Sequence, residues 1–128
     1  MSRIPKIVLA GVLGIVVFDA LASLASRSFG FPYVYATIGS WLIYAMVGFA
    51  IGRIAPVSYA AGGVAAVALA ESTIGWWLSW IIGPGRTKSG TISSTEVLTA
   101  IITVIVIGAV IGAAAGALGR SRPQIETP

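Results

Sequence analysis

The 128-residue chain contains no cysteine and no histidine. Their absence removes disulfides, thiolate and imidazole metal ligands, cysteine nucleophiles, histidine general bases and the usual haem ligands together. It also leaves cysteine usage silent about redox compartment. Charge is scarce too: charged side chains make up 9% of the sequence, against about a quarter in a soluble domain. The net charge of +4 is small; in so apolar a chain it reads as topology signals and attraction to anionic headgroups, not as a nucleic-acid footprint. No Gly-rich phosphate loop follows a strand, no Gly-x-Ser-x-Gly elbow occurs, and a Ser/His/Asp triad is ruled out by composition. The chain is therefore not expected to be an enzyme, and neither a cofactor nor a metal site is expected.

What the sequence has in abundance is apolar length. Hydrophobic residues make up 57% of it, and its mean hydropathy is +0.97. Crossing about 30 Å of hydrocarbon takes about 20 helical residues. Four runs meet that length: residues 7–26, 35–53, 57–82 and 97–118. The expected fold is all-α, a single polytopic domain over residues 1–128 with four transmembrane helices and a short tail at 120–128. Open strands would leave backbone groups unpaired in lipid, and no barrel-type alternation is present. Pro5, Pro32 and Pro56 stand where a first-turn proline costs no hydrogen bond. Ser93 and Glu96 have the spacing of a capping box, and Gly83-Pro84-Gly85 stops the third span. Only a tight turn fits between Gly52 and Val57, so spans two and three are expected to be antiparallel neighbours.

Basic residues orient the chain. Arg3, Lys6, Arg53, Arg120 and Arg122 fall on one side, and Arg27, Arg86 and Lys88 on the other. The imbalance places both termini in the cytoplasm of a cytoplasmic-type membrane. Phe29, Phe31, Tyr33 and Tyr35, with Trp76, Trp77 and Trp80, then mark the outer interface, where amphipathic rings settle. A competing reading makes the first span a signal peptide, with Ala20-Leu21-Ala22 as the cleavage site. Apolar character resuming past Asp19, and Arg27 closing the span, argue for a retained helix.

Two of the four acidic residues, Asp19 and Glu71, lie inside these runs. Translocon scales put the cost of an Asp near a helix centre at about 2.5–3.5 kcal/mol, which the surrounding aliphatics offset. No Lys or Arg lies at similar depth, so each carboxyl is expected to be neutral or to hold a proton or cation exchangeably. Each also has a bland reading, as an acid hydrogen-bonding across helices. Ser23 and Ser26 continue a polar stripe outward from Asp19, Ser72 and Thr73 adjoin Glu71, and Thr99 and Thr103 share a face. No polar stripe runs inward. An intramembrane aspartyl hydrolase would need two acids converging on one water, but neither acid sits in a glycine-flanked motif.

Gly108, Gly112 and Gly116, and likewise Gly48 and Gly52, recur every four residues, forming smooth faces on which helices approach closely. Such faces serve a dimer or the packing of one chain. A faint echo joins the halves: Gly11-Val12 precedes Asp19 as Gly63-Val64 precedes Glu71. A duplication would make the fold two tandem helical hairpins. The layout resembles small multidrug-resistance exporters, with four short helices and an acid in the first; the likeness ends there, and no residue is carried over. The leading expectation is an accessory or structural membrane protein associating with the bilayer and with itself or another membrane protein. The alternative is a proton- or cation-coupled transporter or channel acting as a homo-oligomer through Asp19 and Glu71.

Overall fold

Apolar runs set the minimum length of a helix, whereas caps set its ends, and here the helices outrun their apolar cores. The computed structural model describes residues 3–86 and 91–123; Lys88 and the tail beyond Pro123 lie outside them. In chain order these residues form α1 (Arg3–Phe29), a 3₁₀ turn (Tyr33–Tyr35), α2 (Ala36–Gly52), α3 (Val57–Ala70), a π-helical segment (Glu71–Gly75), α4 (Trp76–Ile82) and α5 (Ser94–Ser121). The described residues contain no strand. Arg3–Phe29, Tyr33–Gly52, Val57–Ile82 and Ser94–Ser121 are each long and apolar enough to cross a membrane. Gly30, at φ +73°, ends α1, its N–H bonding back to the Ser26 carbonyl at 2.8 Å. At α5 the capping box forms: the Glu96 N–H donates to Ser93 Oγ (3.2 Å), and the Ser93 N–H to Glu96 Oε2 (2.8 Å).

Two ends of the bundle are distinct. One, the terminal end, carries the start of α1, the Arg53–Pro56 turn and the end of α5; Arg53 Nη2 donates to the Pro123 carbonyl there at 3.1 Å. The opposite end carries the turn after α1, the end of α4 and the start of α5. Toward the terminal end, α5 is wedged against both α2 and α3. A Cβ at Gly48 would stand 2.9 Å from Gly112 Cα, and one at Gly112 would stand 2.8 Å from the Ala60 carbonyl oxygen. At Gly52 a Cβ would overlap the backbone of Gly116, and at Gly116 it would overlap Ala60 Cβ. Gly108 faces Ala68 and Tyr44. The glycine faces on α2 and α5 are thus covered by helices of the same chain. Around them Ile15, Val47, Ile51, Ala60, Val64, Val67 and Ala68 form a buried apolar core.

Residues 94–107 of α5 include no buried side chain; all its buried positions fall between Gly108 and Gly119. The helix is gripped along its second half only. Replacing Gly52 by alanine forces a methyl into the Gly116 backbone, which has no rotamer by which to yield. We expect Gly52→Ala to lower stability by about 1–3 kcal/mol, the usual cost of overpacking. Gly62→Ala, where a Cβ meets nothing within 4 Å, should leave it nearly unchanged. Thermal unfolding midpoints of the two variants in detergent micelles check the contrast.

Candidate functional site

Halfway along the third long helix, the backbone departs from α geometry. Over Glu71–Gly75 the turn widens to π, a distortion that sequence periodicity does not foretell. Local side chains account for it. Ser72 Oγ and Thr73 Oγ1 both donate to the Leu69 carbonyl, at 3.2 and 2.6 Å, competing with the backbone N–H that would close an α turn. Single π turns inside α-helices recur at functional sites.

The wide turn directs the Glu71 carboxyl at α2. Ser40 Oγ donates to Glu71 Oε1 at 2.5 Å, and the Tyr44 hydroxyl donates to Oε2. Ser40 and Tyr44 are one turn apart and therefore share a face. Both are buried. Each oxygen of Glu71 thus has a hydroxyl donor, and the acid ties the third long helix to the second.

Asp19 is held differently. It is 3% exposed, yet among the described residues its Oδ2 makes no close hydrogen bond. It lies against Gly75, where an added Cβ would overlap Oδ2, so the missing side chain creates the space the carboxyl fills. One turn further along each helix stand Ser23 on α1 and Ser79 on α4, both fully buried, with neither Oγ hydrogen-bonded. The side chain of Tyr33 approaches all three of these residues from the 3₁₀ turn. Arg27, the nearest cation along the chain, donates instead to the Ile82 carbonyl at 3.2 Å.

Both acids line one cavity of about 300 Å³. Its walls come from every long helix: Asp19 from α1; Thr37, Ser40, Trp41 and Tyr44 from α2; Glu71, Ser72 and Trp76 from the third; and Ala100, Val104 and Ile107 from α5. Toward the terminal end the apolar core closes it. Toward the opposite end the polar column of Ser23, Ser26 and Ser79 continues, all three buried. Ser26 Oγ donates to the Phe31 carbonyl at 2.8 Å. Trp76 Nε1 reaches the Gly85 carbonyl at 3.4 Å, and its ring packs edge-on against Trp80. Two acids and the rings of Trp41 and Trp76 on one cavity suit a positively charged guest.

The structure therefore brings Asp19 and Glu71 together and places Gly48, Gly52, Gly112 and Gly116 away from them, among the helix contacts. The Thr99–Thr103 face is not part of the site: Thr103 Oγ1 bonds back to the Thr99 carbonyl at 2.7 Å. Ser40, Tyr44, Tyr33, Ser79, Trp41 and Trp76 were not singled out by sequence as partners of the acids. The four-residue spacing of Ser40 and Tyr44 in an otherwise apolar run was the available signal. No family model, curated protein or solved structure matches the chain.

Interhelical hydrogen bonds in membrane proteins average about 0.6 kcal/mol, with a maximum near 1.7. A double-mutant cycle of Tyr44→Phe with Glu71→Gln should return a coupling energy in that range, read from unfolding midpoints. The same cycle between Tyr44→Phe and Asp19→Asn should return a smaller one.

Proposed function

We propose that this chain is an integral membrane protein, both termini cytoplasmic, that handles protons or small cations as a coupled transporter or channel, with Asp19 as its exchangeable group. The single observation carrying this reading is the unpartnered Asp19 carboxyl oxygen at the wall of a cavity closed on one side. A carboxyl kept from water without a cation beside it gains by taking up a positive charge. Glu71 plays a different part: hydroxyls occupy both its oxygens, so it shapes the cavity and adds negative potential beside Asp19. The apolar core seals the cytoplasmic side, and the polar column leads outward, as one end of an alternating cycle requires. Five basic residues at the terminal end support the orientation.

A second reading, the accessory or self-associating protein, draws on the first half of α5. Leu98, Ile102 and Val106 there are exposed, and no residue from 94 to 107 is buried. The glycine faces no longer favour it, being occupied within the chain.

Reconstitution in liposomes with an entrapped pH-sensitive dye separates the two. With coupled transport, the parent chain collapses a proton or cation gradient; Asp19→Asn abolishes this, and Glu71→Gln slows it by less. A parent chain that carries no flux counts against transport and leaves the accessory reading.

A further inference from the structure

We propose that Asp19, Ser23, Tyr33 and Ser79 form a binding site for one sodium ion, a proposal that rests on the exchangeable-cation reading of Asp19 and names its ion. Three buried oxygens without partners, Asp19 Oδ2, Ser23 Oγ and Ser79 Oγ, sit on adjacent turns of α1 and α4, with the Tyr33 side chain reaching toward all three residues. Buried polar atoms are almost always paired. The Tyr33 phenol among them has a single hydrogen to give, and none of the three oxygens makes a close hydrogen bond to it; a common guest would use all of them.

The chemistry of the donors selects that guest. A proton on Asp19 makes one hydrogen bond and leaves the other oxygens as they are. A hard cation draws on the lone pairs of every oxygen at once, since each hydroxyl can turn its hydrogen away. One carboxylate with three neutral oxygens balances a single charge; divalent ions gather more carboxylates. Gly75, the last residue of the π segment, lets the third long helix lie directly against the Asp19 side chain, so the oxygens come from helices in close contact. Close helix approach suits sodium, the smaller of the two common monovalent ions, and the comparison with potassium tests that choice. Glu71, with both oxygens already engaged, stays outside the ligand set and contributes charge across the cavity. Arg27 and Arg86 donate to main-chain carbonyls, of Ile82 and Trp80, so neither guanidinium competes for the site.

The test uses the purified full chain in detergent, melted in sodium, potassium or N-methylglucamine chloride at fixed pH and ionic strength. A ligand bound only by the folded state raises the melting temperature with its concentration. The expected result is a saturable rise in sodium alone, absent in Asp19→Asn. Ser79→Ala, and Ser23→Ala with Ser79→Ala, should weaken the apparent sodium affinity about tenfold or more, with melting in N-methylglucamine close to the parent's. Equal melting in all three salts, as a buried water in place of the ion would give, overturns the site. So does a sodium effect that survives Asp19→Asn and the double serine variant. Proton flux lost in Asp19→Asn without any sodium-specific stabilisation overturns the sodium site while leaving the transport reading intact. Sodium stabilisation without flux supports the site and removes the transport reading.

Discussion

Backbone contact between helices, possible only where side chains are missing, is the constraint from which the rest of this structure follows. Gly48 on α2 meets Gly112 on α5, and Gly52 meets Gly116. Between apolar helices in a lipid-like surrounding, close van der Waals approach is what holds them together. Because the glycines are confined to one half of each helix, so is the grip. α5 is clamped from Gly108 to Gly119 and merely leans on its neighbours before that. The cavity lies beside that ungripped half. Packing at one end thus leaves room for the space at the other.

Within that space, two carboxyls of similar chemistry acquire opposite characters. Glu71 projects from a widened turn toward two hydroxyls and becomes a crosslink between helices. Asp19 projects from a regular turn into the gap left by Gly75 and keeps an oxygen unsatisfied. The difference is one of hydrogen bonds made: among the described residues neither acid has a cationic partner, but Glu71 accepts from two hydroxyls. A satisfied carboxyl acts as structure; an unsatisfied one has free energy to gain by binding something. The proposed exchange therefore falls to Asp19, while Glu71 serves as a crosslink between helices.

Much of the architecture was legible beforehand because hydrophobic length is a one-dimensional property. The four long helices, the tight turn at Arg53–Pro56 and the Ser93–Glu96 cap can each be read from neighbouring residues. The polar stripe from Asp19 through Ser23 and Ser26 was legible too, as helical periodicity alone puts them on one face. The π turn was not. It depends on the Ser72 and Thr73 hydroxyls choosing the Leu69 carbonyl over solvent or a neighbouring helix. Nor was the pairing of Ser40 and Tyr44 with Glu71, which requires knowing that α2 and the third long helix face each other at that level. The glycine spacing announced a contact surface without naming its partner.

Long apolar helices with two acids in their interior follow from the residues alone, because span length, helical period and capping are local and additive along the chain. That these acids share one cavity, that one is satisfied and the other is not, and that the glycine faces are spent inside the chain are outcomes of how the helices pack. Those outcomes turn on which helix lies opposite which, and at what rotation. That is settled by packing residues far apart in sequence, where a missing side chain at Gly75 or Gly116 matters as much as one that is present.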